Sequence, residues 1–338
     1  MKITVFGAGA WGTAVAAHMA QEHDVVLWGR DPDCLSSIAS QQENPRYLKG
    51  ITLCSNLGTE ADFTKAASHA FTAGPGGLWV LGTPMSALRS TLVQLRKIAP
   101  IEAWPRLVWL CKGFEADTGL MPHQVVESEL GRSLGGALTG PSFAAEVAKG
   151  LPCALTAASS DEQVRLAMVQ AAHHNAMRVY ELVDLTGAEV GGAVKNIMAV
   201  ATGICDGLQL GLNARAALVT RGMAEIKRLA AALGAQAETL NGLSGFGDLI
   251  LTCTGDLSRN RRVGLKLAEG KPLAAVLEEL GQVAEGVKCA PVVKELSARL
   301  KVDMPITHMV NAVLFEGLAA EKGVAKLLSR EAKGEFDD

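Results

Sequence analysis

The first dozen residues constrain this chain most. Lys2 to Phe6 is a short apolar, β-branched run that leads straight into Gly7, Gly9 and Gly12, and a helical pattern follows over Thr13 to Gln21. In a G-x-G-x-x-G placed between strand and helix, each glycine has a separate physical task. One turns the chain, the next lets backbone approach a pyrophosphate, and the third lets the helix pack on the strand with its free N–H groups facing the phosphates. A tight turn in a glycine-rich chain would carry the same letters, and there are 36 glycines here. A second apolar strand over Val25 to Trp28, at βαβ distance, favours the dinucleotide reading, with Gly7, Gly9 and Gly12 as the loop.

What ends that second strand bears on which nicotinamide fits. An Asp or Glu there would bind the ribose 2′-OH and repel a 2′-phosphate, whereas Trp28-Gly29-Arg30-Asp31 offers a cation first. Arg30 therefore favours NADPH, and Asp31 keeps NADH open. A solvated surface arginine is the bland alternative.

The same rhythm of strand and helix continues through Gly77 to Leu81, Leu107 to Cys111 and Ala137 to Thr139, each run bounded by Gly or Pro. Cys153 to Ala158 and Met177 to Tyr180 extend the sheet as antiparallel or edge strands. From about Thr186 the strand signal ends, and Ala, Gly, Leu and Met recur at helical spacing through residue 330. The expected fold is an α/β Rossmann-like N-terminal domain with a mostly parallel sheet, followed by an all-α C-terminal domain. The division expected is 1–188 for dinucleotide binding and 189–338 for substrate binding and catalysis. The charged tail EAKGEFDD is expected to fray.

Composition narrows the function. With 32 basic against 35 acidic residues the net charge is −3, so no global basic field exists to hold nucleic acid or an anionic membrane, and any anion site must be local. Seven cysteines lie scattered without a C-x-x-C, which reads as buried thiols in a reducing cytosol. The first twenty residues imitate a signal peptide, but three glycines in their middle and Asp24 soon after favour strand, turn and helix. The best candidate for a membrane span, Gly187 to Cys205, carries Glu189, Lys195 and Asn196, so none is expected. The seven histidines show no metal spacing, and no metal is expected.

Chemistry concentrates in the helical half. Lys195 and Asn196 sit in Gly191-Gly192-Ala193-Val194-Lys195-Asn196-Ile197-Met198, where small residues admit close neighbours. A lysine in so apolar a setting is poorly solvated, which suits it to give and take a proton. Snorkelling to solvent is the usual alternative. Gly245-Phe246-Gly247-Asp248, followed by Thr252, sets a carboxylate on a glycine-framed turn at a helix start, where a plain N-cap would also serve. Ser258-Arg259-Asn260-Arg261-Arg262 gathers three guanidiniums, a hydroxyl and an amide, enough to clamp one phosphate. Lys112-Gly113 and Gly140-Pro141-Ser142-Phe143 follow strands, where open α/β sheets bind ligands.

Taken together, GAGAWGT, LVWLCKGFEADTG, LTGPSFAAEVAKGLP, GGAVKNIMAVATGICDGL, NARAALVTRGMAEI, GFGDLILTCTGDLSRNRR and GQVAEGVK resemble the bacterial NAD(P)-dependent glycerol-3-phosphate dehydrogenases, in order and over nearly the whole chain. The GGAVKN, GFGDL and SRNRR blocks are the most specific. The resemblance implies that Ala10, Trp11 and Arg30 contact the nucleotide, that Lys112 meets both cofactor and substrate, that Gly140 and Ser142 meet the substrate, and that Ala144 lies near the nicotinamide. It makes Lys195 the proton acceptor, Asp248 and Ser258 substrate contacts, and Arg259 and Asn260 phosphate contacts. Arg259, Val283 and Glu285 would also touch the cofactor. Ala10 and Trp11 depart from the Ser and Tyr that also occur in the family, and the Phe71 to Gly77 loop looks extended.

The activity implied is the reversible NAD(P)H-dependent reduction of dihydroxyacetone phosphate to sn-glycerol 3-phosphate in the cytoplasm, supplying glycerophospholipid synthesis. Lys195, Asp248 and Asn196 would be catalytic, the latter two orienting the lysine and the substrate hydroxyl. Two rivals stand beside it: another two-domain nicotinamide enzyme of the hydroxyacid or 6-phosphogluconate type, and a non-catalytic dinucleotide sensor. The joint presence of Lys195, Asp248 and Arg259 separates them, since a sensor needs no buried proton donor. Abundant small residues in the helical half are compatible with a homodimer.

Overall fold

The computed structural model describes residues 1–281, 284–331 and 334–335, so Val283 and part of the charged tail lie outside the described residues. The chain divides into two compact units, one of residues 1–112 and 121–185, the other of 113–120 and 186–338.

The first unit is a sheet of eight strands: β1 (Lys2–Phe6), β2 (Asp24–Trp28), β3 (Gly58–Glu60), β4 (Leu78–Leu81), β5 (Arg106–Trp109), β6 (Gly136–Thr139), β7 (Cys153–Ala158) and β8 (Met177–Leu182). Their order across the sheet is 3-2-1-4-5-6-7-8. The first six are parallel, in the arrangement that places a dinucleotide at the crevice where the order reverses beside β1. β7 runs antiparallel to β6, and β8 lies parallel to β7 at the edge, so the two last strands continue the sheet as the sequence suggests. Connecting them are α1 (Ala10–Met19), α2 (Pro32–Gln41), α3 (Phe63–Phe71), α4 (Met85–Arg96), α5 (Pro122–Leu130), α6 (Ala144–Ala148) and α7 (Glu162–Ala172). β4 reads as an unbroken apolar run and β1 as one interrupted only by the buried Thr4, because both faces are covered by helices: Ile3, Val5, Phe6, Leu78, Trp79, Val80 and Leu81 are all fully buried. The Phe71 to Gly77 stretch holds a short 3₁₀ turn over Gly74–Gly76.

The second unit is helical: α8 (Leu185–Gly207), α9 (Gly211–Ala232), α10 (Asp248–Thr254), α11 (Arg259–Ala268), α12 (Leu273–Leu280), α13 (Glu285–Leu300), α14 (Pro305–Phe315) and α15 (Ala320–Leu328). α8 is buried without a break from Gly187 through Cys205, Lys195 and Asn196 included. A helix with no polar face cannot lie on a surface, which explains why the rest of the unit is built around it. Among the described residues, no helix is long and apolar enough to cross a membrane.

Candidate active site

In the first unit the three glycines of the β1–α1 turn differ in what a side chain would meet there. Gly7 has φ +124°, and a Cβ there would stand 2.7 Å from the Gly82 carbonyl, just past β4. At Gly12 a Cβ would stand 2.1 Å from the Gly7 oxygen, so any side chain would push α1 off the turn. Around Gly9 nothing lies within 4 Å of the Cβ position. Neither packing nor backbone strain requires that glycine, and the open space leaves room for a phosphate to approach the backbone. Gly9 is also the N-cap of α1 and offers no side chain to bond the first N–H groups, which stay directed at a ligand. These residues therefore fit a dinucleotide pyrophosphate. Ala10 and Trp11 begin α1 beside it, both partly buried against the core.

Asn44 supports this turn, although nothing in the letters singles it out. Fully buried, it donates from Nδ2 to the Ala8 carbonyl at 3.1 Å and to Thr13 Oγ1 at 2.9 Å, while its Oδ1 accepts from the Tyr47 N–H at 3.1 Å. Gly82 escaped notice too, since only the folded chain shows β4 ending against Gly7 and Gly12. Arg30 is exposed just past β2, whose Trp28 carbonyl accepts from the Gly7 N–H at 2.8 Å. The neighbouring Asp31 is occupied: it caps α2 by accepting from the Asp33 and Cys34 N–H groups and pairs with Arg46 at 3.1 Å. The bonds from Cys34 and Arg46 hold its carboxyl below the usual carboxylate range.

A second group in this unit forms around the Gly140 carbonyl. It accepts from Lys112 Nζ at 3.3 Å and from Ser142 Oγ at 3.2 Å, with Gly140 itself at φ +135°. Ala144 follows as the first residue of α6.

The helical unit holds the ionisable centre. Lys195 on α8 pairs with Asp248 at the start of α10 through a short contact, and its Nζ also donates to Thr252 Oγ1 at 2.9 Å. Their side chains are 7% and 2% exposed, so the pair is nearly dry. The Thr252 hydroxyl donates a hydrogen bond to the Asp248 backbone carbonyl at 2.7 Å, which leaves its oxygen lone pairs facing the ammonium. The only trace of this role of Thr252 in the letters is its place one turn after Asp248. Asp248 is not an N-cap. The helical geometry begins earlier, over Leu243–Gly247, and Gly245 sits so tightly on Leu240 that a Cβ would lie 2.3 Å from its carbonyl oxygen.

Asn196 faces a different partner from Lys195. Its Oδ1 accepts from Asn260 Nδ2 at 2.8 Å, and its Nδ2 donates to the Gly192 carbonyl at 3.2 Å. Asn260 in turn accepts from the Gly286 N–H at 2.9 Å, so one buried amide ladder joins α8, α11 and α13. Ser258 is buried as the N-cap of α11, accepting from the Arg261 N–H at 3.3 Å. The three arginines separate. Arg261 is locked to Asp206 and Asp256, Arg262 is exposed, and Arg259, exposed at the first position of α11, acts on the Glu285 carboxyl. Burial pushes Glu285 up, against the pull of Lys288 and Arg259.

Comparison with known proteins agrees with this geometry. Residues 2–165 match the family model for the N-terminus of NAD-dependent glycerol-3-phosphate dehydrogenase, and residues 184–325 match that for its C-terminus. A glycerol-3-phosphate dehydrogenase [NAD(P)+] of Cupriavidus pinatubonensis is 57% identical, the match covering 99% of this chain and 97% of that one. One from Herminiimonas arsenicoxydans is 53% identical over 99% and 100%. The crystal structure of glycerol-3-phosphate dehydrogenase from Coxiella burnetii superposes with a TM-score of 0.90 at 37% identity, covering 97% of this chain and 98% of that one. By both halves of its sequence, this chain belongs to the NAD-dependent glycerol-3-phosphate dehydrogenase family.

Proposed function

We propose that this enzyme reduces dihydroxyacetone phosphate to sn-glycerol 3-phosphate, reversibly, with NADPH or NADH. The observation that carries the reading is the dry Lys195–Asp248–Thr252 group in a chain of this family. The chemistry a bound nicotinamide supplies is the hydride at the carbinol carbon. Gly7, Gly9 and Gly12 would hold its pyrophosphate, with Ala10, Trp11, Arg30, Lys112, Ala144, Arg259 and Glu285 as further contacts.

The protein's part is proton transfer and orientation. As charge develops on the ketone oxygen, Lys195 gives it a proton; in the oxidative direction the neutral amine takes that proton back. Asp248 stabilises the ammonium at rest, and Thr252 fixes its direction. Arg259 and the first N–H groups of α11, with Asn260, suit a phosphate dianion, so binding energy away from the reacting carbon positions it. Asn196 contributes by holding Asn260. Lys112, Gly140 and Ser142 complete the substrate contacts in this reading. Seven unpaired cysteines support a reducing, cytoplasmic setting.

The test is consumption of reduced cofactor when dihydroxyacetone phosphate is added, beside a panel of keto acids and phosphorylated ketones. Preference for a keto acid would overturn the reading in favour of a hydroxyacid-type enzyme, and cofactor binding without turnover would favour a sensor.

A further inference from the structure

α11 is laid against α8 in a way that bears on which ketones fit, provided that the reading above holds. Asn196, Val200, Gly203 and Gly207 form one stripe of α8 at helical spacing, and Asn260, Gly264 and Ala268 one stripe of α11. The stripes meet backbone to backbone. A Cβ at Gly203 would stand 2.0 Å from the Arg261 carbonyl oxygen, and one at Gly264 would stand 2.1 Å from the Val200 oxygen and 2.8 Å from the Gly203 Cα. Such contact sets how close the helices come. Glycines carry no side-chain ridge of their own, so the register along the axis falls to the polar side chains at the two ends of the contact.

At its start this contact is pinned by the Asn260–Asn196 amide bond of 2.8 Å, and toward the far end of α8 sliding is opposed by charge. Arg261, two residues past Arg259, reaches Asp206 near the end of α8 with both Nε and Nη2 at 2.8 Å. The two side chains are 11% and 14% exposed, and Arg261 also bonds Asp256 at 2.9 Å. Nε and Nη2 of one planar guanidinium close on the single Oδ2 of Asp206, which holds Arg261 in direction as well as in distance. At a rise of ~1.5 Å per residue, Lys195 and Asp206 lie roughly 16 Å apart along α8, so the register of α11 against Asp206 decides where Arg259 stands relative to the Lys195 turn.

We propose that Arg261, through Asp206, is a positioning residue that sets the span between Lys195 and the anion-binding start of α11, and thereby selects ketones whose phosphate ester sits on the carbon next to the carbonyl. Dihydroxyacetone phosphate meets that description. Its four-carbon homologue erythrulose 4-phosphate, with the phosphate one carbon further on, does not.

Steady-state kinetics of Arg261→Gln, Asp206→Asn and the double variant on both ketones test this, with Arg215→Gln as control. Arg215 shares Asp206 at 3.2 Å but belongs to α9. Each single variant is expected to raise KM for dihydroxyacetone phosphate about tenfold with kcat and cofactor KM little changed, and to cut discrimination between the ketones by about tenfold. The double variant should be no worse than the worse single one, Arg261→Lys should recover part of the loss, and Arg215→Gln should match wild type. Additive losses would make Arg261 a direct phosphate contact and overturn the proposal. So would unchanged discrimination, or losses in Arg215→Gln equal to those in Arg261→Gln. Wild type inactive on dihydroxyacetone phosphate would overturn the functional reading itself, and the positioning role with it.

Discussion

Removing the Asp248 carboxylate should reveal how dry the ionisable centre is. In Asp248→Ala the Lys195 ammonium stays in α8 at 7% side-chain exposure, with Thr252 left to hold it. Exposed ion pairs are worth little because water screens them, but that discount does not apply to a pair this buried. Stranding one member of a buried pair costs about 3–5 kcal/mol, whereas replacing both with apolar groups of similar volume is close to neutral. Lys195→Met/Asp248→Leu should therefore recover most of the stability that Asp248→Ala loses, while both proteins lose turnover. The assay can isolate the helical unit. All five tryptophans (Trp11, Trp28, Trp79, Trp104, Trp109) and both tyrosines (Tyr47, Tyr180) lie in the sheet unit. Urea unfolding followed by circular dichroism sees both units, and tryptophan emission sees the sheet unit alone. The loss should appear as a lower midpoint of the helical signal at constant slope. A loss below about 1 kcal/mol in Asp248→Ala would refute the reasoning, since it would mean that water already solvates the ammonium.

Three further expectations follow from the same geometry. Arg30→Asp should shift the ratio of kcat/KM for NADPH over NADH toward NADH, because it sets a carboxylate against a 2′-phosphate and offers a free 2′-OH an acceptor; an unchanged ratio would make Arg30 a surface residue. Arg259→Ala should cost about 3 kcal/mol, roughly a hundredfold in kcat/KM, with dihydroxyacetone phosphate and little with unphosphorylated dihydroxyacetone; equal losses would remove Arg259 from phosphate binding. Glu225, whose carboxylate caps α14 through the Thr307 N–H at 3.1 Å and hydroxyl at 3.0 Å, is pushed by burial from 4.5 up to about 7. The folded state then holds a proton that the unfolded state has lost, so the contribution of Glu225 to stability is fully present below 4.5 and is lost as pH rises through 7, by roughly 3 kcal/mol. Unfolding melts of Glu225→Gln should show a flatter pH dependence over that range, and an equal slope would exclude Glu225 as its source.

How far the letters carry can be judged residue by residue. The parallel strands are legible because both of their faces are buried and the runs are apolar throughout, as Leu78 to Leu81 illustrates. β3 is not, because Gly58–Glu60 is a three-residue edge strand with no apolar side chain. α1 starts at Ala10, three residues before the Thr13 that the letters suggest, because Ala and Gly in the turn read as loop. Residues 113–120 join the helical unit although they lie within the sheet half of the sequence, a long-range association that periodicity cannot show. At the site, Lys195 and Asp248 stand out as charges in apolar surroundings. Asn44 and Thr252 do not, since neither residue type is unusual in a loop or short helix. The three arginines look alike in sequence, and only their carboxylate partners tell Arg261 from Arg259.

The unbroken burial of α8 has a consequence for the lifetime of the enzyme as it is heated. Amide hydrogens in a segment sealed from Gly187 through Cys205 can exchange with solvent only when the surrounding helices part, so they should report the full opening free energy of the helical unit rather than local fraying. Exposed segments such as the start of α9, where Leu212 is 72% exposed, should exchange far sooner. Lys195, proposed above to transfer the proton, is thus carried on the part of its unit expected to loosen last. Heating should leave the rate per active molecule intact until that unit opens as a whole, and inactivation should then coincide with loss of deuterium protection along α8.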